Sequence, residues 1–504
     1  MDHWTDGYVT ELPYSVNHFP EMAPAHLNLA LLHLGLASPA LDAGFTYLEL
    51  GFGQGLGLNM LAATHPQGRF FGNDFMPAHV DAAQALASQA GLGNLGLFQD
   101  SFAQMLTRDL PPMDYIVLHG VYSWVNAENR SIVVALLHKL LKSTGVVYIS
   151  YNCLPGWSLK APMQRLMSEF AQAQSEGSAL ERFHAARELL GALGEADAAF
   201  FTHNSAARSM LGEIQRASDA YLLHEFAPQG WSPFYHTDVA RDLAAADLRY
   251  AGSAKLFANF PAWSQTPKTR ALLAATPDAG LRELLRDFAA QTQFRRDIFV
   301  RNAEPLSATD IDTRYRALKF SLWRPRASCA LRCQTPIGEL QLDEEAFGAL
   351  LDCLESGPQS LDALIGASGL DATSCVEALN MLLCLEYIGI SPSESQSAES
   401  RERIQRLNRC LLQRVRAGER ISGFASPVAG AGIAISCHDQ LFLSAQQDGH
   451  TGAEALAAYA KQILDVAAKE GDAIVLAQLL HEARNFLVYG SDFYLSLDLF
   501  PARM

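Results

Sequence analysis

One unit near the start of the chain constrains the fold more than any other feature. An apolar run at residues 45–50 leads into a GFGQG loop at residues 51–55, and a helical segment follows from Leu58. A second apolar run, residues 69–73, ends in Asp74. A parallel strand must turn sharply into its helix at the carboxyl edge of the sheet, and glycine permits both that turn and the close approach of a ligand. The pattern predicts a strand, loop, helix and strand of an α/β sheet that binds a ligand.

The acids beside this loop indicate which ligand it binds. In the dinucleotide fingerprint, the loop and the helix N-terminus bind a pyrophosphate. Here Glu49 stands two residues before the first glycine, where a carboxylate suits a ligand with a cationic amine and a sulfonium. Asp74, at the end of the second run, can accept hydrogen bonds from both ribose hydroxyls. The combination predicts S-adenosylmethionine as the cofactor, bound by Glu49, Gly51, Gly53, Gly55 and Asp74.

Strands and helices continue to alternate as far as residue 150. The pattern predicts a helix over 78–90, strands at 95–98, 113–118 and 146–150, and a helix over 132–142. This alternation predicts the α/β class with a Rossmann-like, doubly wound sheet, in which ligands lie at the carboxyl ends of the strands. The unusual residues lie at those ends, at positions 100–101, 119–124 and 151–157.

The sequence resembles the class I methyltransferases that carry a methyltransferase regulatory domain, a group that includes bacterial protein-lysine methyltransferases acting on outer-membrane proteins. The resemblance rests on LPYS (12–15), LELGFGQG (48–55), FFGNDF (70–75), DYIVLHGVYSWV (114–125) and YISYNCLPGW (148–157), and later on YLLHEF (221–226) and the region of Arg295 and Arg296. It implies an S-adenosylmethionine-dependent methyltransferase and favours protein lysine as the acceptor. Phe52 stands where the family more commonly has Cys, which indicates a different subgroup.

Four further residues are expected at the cofactor. The position of Asp100 in the family implies a hydrogen bond to the adenine amino group, although an acid there could instead cap the helix that follows. We also expect Phe75, Ser101 and His119 to contact the cofactor.

Two aromatic and polar loops follow the fourth and fifth predicted strands, and we expect the methyl acceptor between them. Tyr122 and Tyr151 are predicted to line the channel to the methyl group, with His119 and Asn152 in support; the alternative is that both loops only pack beneath the sheet.

Free lysine has a pKa of about 10.4, and aromatic walls would lower it by desolvation. A hydroxyl acceptor would need a base, for which His119 is the candidate. The residues alone leave both acceptor classes open.

Charge and cysteine patterns bear on partners and compartment. The chain carries 54 Asp and Glu against 38 Lys and Arg, a net charge of −16, which disfavours a nucleic-acid partner. Its eight Cys are scattered without metal-ligand spacing, which predicts no bound metal and a reducing cytoplasm. Met1 leads into Asp2, His3 and Trp4 without a basic and apolar run, and the apolar stretches are short. We therefore expect a cytoplasmic protein without a secretory signal or a membrane span.

The length and the pattern predict three domains. Residues 1–305 are expected to form the methyltransferase domain, with late strands at 248–257 and 297–301 completing its sheet. Helices between the fifth and sixth strands would form a lid or the face of a homodimer. Residues 306–400 contain short strands and then helical runs at 344–355, 361–367 and 372–387, the order of a winged helix. Because residues 333–400 hold no Lys, Arg or His against 12 Asp and Glu, a packing role is favoured over DNA reading.

Residues 401–504 predict a C-terminal α+β domain. It begins with a basic amphipathic helix at 401–419, expected to pair with the acidic unit before it, and strands are expected near 432–436 and 440–443. The favoured function is a protein-lysine N-methyltransferase whose C-terminal domains recruit the protein substrate. The alternatives are a small-molecule or sugar O- or N-methyltransferase and a non-catalytic, cofactor-binding regulatory protein.

Overall fold

A seven-stranded, mostly parallel sheet organises the first 300 residues of the protein. The computed structural model describes residues 16–228, 230–393, 396–467 and 476–501, so the LPYS motif lies outside the described residues. The strands are β1 (Thr46–Leu50), β2 (Arg69–Asp74), β3 (Leu95–Gln99), β4 (Met113–Leu118), β5 (Leu141–Asn152), β6 (Arg249–Ser253) and β7 (Phe294–Val300). Their order is β3-β2-β1-β4-β5-β7-β6, with β7 antiparallel to both its neighbours. The predicted Rossmann-like sheet is confirmed.

Helices lie before β1 and between the first five strands of this sheet. They are α1 (Pro24–His33), α2 (Leu56–Thr64), α3 (Pro77–Ala90), α4 (Phe102–Thr107) and α5 (Ala127–Leu140). Helix α5 begins five residues before the predicted start, because the Asn126 side chain accepts a hydrogen bond from the Asn129 N–H and caps it. Strand β5 is longer than predicted at both ends.

The segments between the last three strands are mainly helical. Between β5 and β6 lie α6 (Lys160–Ala173), α7 (Ala179–Glu195), α8 (Ala199–Thr202), α9 (Ser205–Gln215), α10 (Asp219–Phe226) and α11 (His236–Ala244). Helices α6 to α10 share a core of their own around Met167 and Phe226. Between β6 and β7 lie α12 (Pro261–Ser264), α13 (Pro267–Ala274) and α14 (Ala279–Ala290). The predicted strand 248–257 ends early, since Leu256–Asn259 is a 3-10 turn.

A smaller unit of helices and short strands follows. It contains α15 (Ala308–Arg316), β8 (Lys319–Leu322), β9 (Arg332–Thr335), β10 (Gly338–Gln341), α16 (Glu344–Glu355), β11 (Gln359–Ser360), α17 (Leu361–Ser368), α18 (Ala372–Cys384) and β12 (Ile388–Ser391). Strand β8 pairs with β11 and β12, both antiparallel. The three predicted helical runs are present, while assignment to the winged-helix class stays a prediction.

The C-terminal segment corrects two expectations. It contains α19 (Ala398–Arg416), β13 (Gly423–Ser426), β14 (Ala431–Ala434), α20 (Cys437–Gln447), α21 (Ala453–Ala467), α22 (Leu476–Asn485), a π-helical turn (Phe486–Gly490) and α23 (Ser491–Ser496). Residues 440–443 are helical, not a strand, because the Ser436 side chain caps α20. The basic helix α19 packs its apolar face on α2, α3 and β13 instead of pairing with the acidic unit. Its arginines Arg401 and Arg416 pair with Asp498 and Asp448.

None of the helices in the described parts of the chain has the length and the apolar character that crossing a membrane requires.

Candidate active site

A cavity lies at the carboxyl edge of the central sheet, and eight of the nine predicted cofactor-binding residues line it. They reach it from the ends of four neighbouring strands: Glu49, Gly51, Gly53, Asp74, Phe75, Asp100, Ser101 and His119. The ninth, Gly55, instead forms the N-terminal cap position of α2. The structure thus brings the predicted cofactor residues together.

The glycine loop after β1 adopts a backbone conformation that is unfavourable for residues with a side chain. Gly51 and Gly53 have φ values of +73° and +59°, in the left-handed region that favours glycine. A Cβ atom at Gly51 would lie 2.6 Å from Val121 Cγ2, whereas one at Gly53 would meet no atom within 4 Å. Gly53 therefore turns bare backbone toward the open cavity, which suits close approach of a ligand.

Asp74 joins this loop to the start of α3. Its Oδ2 accepts a hydrogen bond from the Gly53 N–H at 2.9 Å, and its Oδ1 accepts one from the Met76 N–H at 2.9 Å. The His79 Nδ1 lies 3.2 Å from Oδ1, and both side chains are buried. Asp74 therefore supports the entry to α3 and also lines the cavity, so its geometry is compatible with both a capping role and a ligand-binding role. His79 was not predicted from the sequence as a residue of the cavity. Its position in the first turn of the helix after Asp74 was the one feature that placed it near the site.

The end of β3 divides two roles between adjacent residues. Ser101 caps α4, accepting a hydrogen bond from the Gln104 N–H while the Gln104 side chain accepts one from the Ser101 N–H. The Asp100 carboxylate pairs with Arg108, and its backbone carbonyl accepts a hydrogen bond from the Asn73 side chain at 3.0 Å. Capping is therefore done by Ser101 and does not explain Asp100.

Glu49 is a buried acid that faces the cavity. Burial, and next the nearby charge of Asp74, raise the pKa of its carboxyl from 4.5 to about 8. A cationic group in the cavity would reverse this effect by stabilising the carboxylate. Together with the bare Gly53 backbone, Glu49 fits a ligand that carries an amine, as S-adenosylmethionine does.

His119 also reaches the cavity, but as a neutral aromatic wall. Its ring stacks on Phe19 with centroids 3.6 Å apart, and its Nδ1 lies 2.8 Å from the Tyr148 hydroxyl. Burial, and next the positive charge of Arg296, lower the His119 pKa to about 3. Arg296 itself pairs with Glu21. A ring with this pKa is a weak base near neutral pH.

The other three predicted catalytic residues do not line this cavity. The Tyr122 hydroxyl donates to Asp242 Oδ2 at 2.7 Å, and the Asn152 side chain donates to Glu225 Oε2 at 3.2 Å. Tyr151 is fully buried and donates to Asp297 Oδ2 at 2.6 Å. The two tyrosines therefore do not form the predicted channel wall, because their side chains leave the strand ends toward the core. Their position in the sequence did not determine this direction.

Tyr151 belongs to a buried cluster of charged residues that links β7 to neighbouring helices. Arg295 contacts three carboxylates, at 2.9 Å to Asp297, 2.8 Å to Asp287 and 2.9 Å to Glu283. The arginine side chain is only 6% exposed, and the His236 Nδ1 also lies 3.0 Å from Asp297. This cluster ties β7 to α14 and α11 behind the sheet.

Several cavity residues were missed by the sequence interpretation. Phe19 and Trp124 add aromatic walls, and Trp124 lies within a motif that was already noted. Ala431 and Gly432 come from β14 in the C-terminal domain, where no motif indicated a site. Within the described residues, no group of His, Cys, Asp and Glu is arranged to hold a metal ion.

The chain is similar to known proteins over nearly its whole length. Residues 48–147 match the family model "Methyltransferase domain", and residues 218–301 match "Predicted methyltransferase regulatory domain". An uncharacterised protein of Synechocystis sp., sll1526, is 34% identical over 495 residues, covering 96% of this chain and 97% of that protein. The solved structure of PKMT2 from Rickettsia typhi has a TM-score of 0.67 at 19% identity, covering 97% and 99% of the two chains. The same protein in complex with AdoHcy gives 0.66 at 20%, covering 96% and 98%.

Proposed function

The chain belongs to the S-adenosylmethionine-dependent methyltransferases that combine a methyltransferase domain with a methyltransferase regulatory domain, and we propose that it methylates lysine side chains of a protein. The proposal rests on the aromatic wall that Phe19, His119 and Trp124 form along the cavity, in which the His119 ring is a weak base. A hydroxyl acceptor needs a base, and a histidine with a pKa near 3 serves poorly as one. The whole-chain likeness to PKMT2, a protein lysine methyltransferase, supports the same choice.

The chain's own residues would bind and orient the reactants. Glu49 would pair with the amine of the cofactor, Gly53 would admit its backbone contacts, and Asp74 would accept hydrogen bonds from its ribose. When bound, S-adenosylmethionine supplies a methyl group that its sulfonium already activates, so alignment is the main task left to the protein.

At the acceptor side, the aromatic wall would favour the neutral amine. Phe19, His119 and Trp124 line the cavity and would exclude water from a lysine side chain there, and desolvation lowers the pKa of an ammonium group. The lone pair of the neutral amine is the nucleophile, so this environment prepares lysine for transfer without a strong base.

Labelled cofactor and candidate proteins test the proposal. We expect the full-length protein to transfer label to lysine, located by mass spectrometry of the acceptor peptides, and Asp74→Ala to lower this transfer strongly at limiting cofactor. Acetylating the acceptor lysines beforehand should block labelling. Label on serine, on a sugar or on a small metabolite would support the small-molecule alternative, and cofactor binding without transfer to any acceptor would support a regulatory protein.

A further inference from the structure

The β13–β14 hairpin of the C-terminal domain lies directly against the cavity. Ala431 and Gly432 line it together with Gly53 and Asp74. A Cβ atom at Gly432 would lie 2.6 Å from Met60 Sδ and 2.7 Å from His18 Cδ2, both shorter than ordinary contact. The hairpin backbone therefore fits between α2 and the segment before α1 with no room for a side chain.

Polar contacts join the C-terminal domain, at residues beside the hairpin, to two parts of the methyltransferase domain that border the cavity. The His18 N–H donates to Ser422 Oγ at 2.8 Å, and His18 Nδ1 lies 2.7 Å from the same oxygen. Arg414 of α19 donates to the side-chain oxygen of Gln54, inside the glycine loop, at 3.3 Å. His18 and Gln54 themselves line the cavity.

A shared apolar core supports these polar contacts. Leu407 and Leu411 of α19 are fully buried and belong to the same core cluster as Leu56 and Met60 of α2 and Leu86 of α3. Burial of apolar side chains of this size stabilises a contact strongly. The C-terminal domain is therefore packed onto the helix that follows the glycine loop, and its hairpin is held at a fixed place beside the cavity.

We propose that the C-terminal domain is part of the cofactor site, with the Gly432 backbone and the His18–Ser422 pair forming one wall around bound S-adenosylmethionine. Cofactor binding and docking of this domain are then coupled, and each strengthens the other by the same factor. The coupling concerns cofactor affinity, so it holds whichever acceptor receives the methyl group.

Two variants of the full-length protein test this wall. Ser422→Ala removes the partner of His18 and should weaken S-adenosylmethionine binding about three- to tenfold by calorimetry. Gly432→Val forces a side chain between Met60 and His18 and should weaken binding more. The matched controls are Ser496→Ala, on the exposed surface of the same domain, and Gly93→Val, where an added Cβ meets nothing within 4 Å. Both controls should bind as the wild type does.

Hydrogen exchange of the wild-type protein provides a readout that requires no variant to fold. Adding S-adenosylmethionine should slow exchange of the amides at residues 421–435. Wild-type affinity in Ser422→Ala, together with hairpin exchange that the cofactor leaves unchanged, would overturn the proposal. Neither measurement involves an acceptor, so failure of the lysine assignment would leave both results intact.

Discussion

The Gly53 backbone N–H donates a 2.9 Å hydrogen bond to the Asp74 carboxylate, so the acid at the end of β2 holds the glycine loop that follows β1. The same carboxylate also accepts the Met76 N–H at the entry to α3. A bound ribose would share this carboxylate with the loop. Asp74 thus fixes the conformation of the glycine loop before any ligand binds. Its removal should alter both the loop conformation and the binding of the ligand.

Replacing Asp74 should weaken cofactor binding without unfolding the chain. Asp74→Ala removes charge-assisted hydrogen bonds to the ribose and should cost on the order of 2–3 kcal/mol of binding free energy. Gly53→Val should block the approach of the cofactor to the backbone. Calorimetric titration measures both, with Asp81→Ala as the control because Asp81 is exposed on α3, the helix that follows Asp74. Wild-type affinity in the Asp74 and Gly53 variants would refute this cofactor site.

Cofactor binding should release a proton from Glu49. The pKa of this carboxyl is raised to about 8, so the free protein holds its proton at pH 6 to 7. A cationic amine favours the carboxylate, lowers that pKa and displaces the proton, and affinity should therefore rise from pH 6 toward pH 8. Calorimetry in buffers of different ionisation enthalpy counts the proton released. Glu49→Gln should bind more weakly and release none; equal proton release in that variant would assign the proton to another group.

The pH profile of transfer should identify the acceptor. Since the His119 pKa is lowered to about 3, the ring stays neutral between pH 7 and 10 and contributes no ionisation there. With a lysine acceptor, His119→Ala should lower single-turnover rates by a similar factor at every pH, through loss of the wall beside Phe19. If the variant instead lost an ionisation that the wild type shows, His119 would be acting as a base and a hydroxyl acceptor would be favoured.

Arg295 should be essential for stability. Arg295→Met leaves Glu283, Asp287 and Asp297 buried without their cation, and breaking a buried pair in this way costs about 3–5 kcal/mol. The adjacent Arg296→Met loses one partly exposed pair with Glu21 and should cost about 1 kcal/mol or less. Urea unfolding of both variants gives the comparison. Similar losses in the two would show that the cluster does not determine stability.

The acidic unit should not bind DNA. Residues 333–400 carry no Lys, Arg or His, so they cannot release the phosphate counterions that supply non-specific affinity. The arginines Arg401 and Arg416 of the neighbouring helix are paired within the protein. The full-length chain should therefore give no salt-sensitive mobility shift. A shift that weakens as salt rises would contradict this.

Local patterns predicted the parts of the site that depend on local geometry. Gly51 and Gly53 adopt the left-handed backbone that the sharp turn required, and the acids Glu49 and Asp74 reach the same cavity. Parallel strands all end at one edge of the sheet, so residues just after them converge even when they are far apart in sequence. This is why short motifs were sufficient to predict residues that line one cavity.

The remaining features depend on long-range packing, which no local pattern encodes. Tyr122 and Tyr151 follow the correct strands, but their rings are buried and their hydroxyls donate to Asp242 of α11 and Asp297 of β7. The basic helix α19 has a clear apolar face, yet periodicity cannot identify α2 and α3 as the surface it covers. Gly432 reaches the cavity only because the C-terminal domain packs on α2 and α3. Its contribution could therefore not be predicted from the sequence.

The antiparallel position of β7 between β5 and β6 has a consequence for biosynthesis. Strand β5 pairs with β7 along seven residue pairs, yet about 140 residues separate the two strands in the chain. At roughly 5–20 residues per second, a ribosome needs about 7 to 28 seconds to make that stretch. During this time the nascent chain carries β5 as an unpaired edge that can recruit another strand. The newly made chain is therefore open to pairing with another chain at this edge after β5 has emerged and before β7 has.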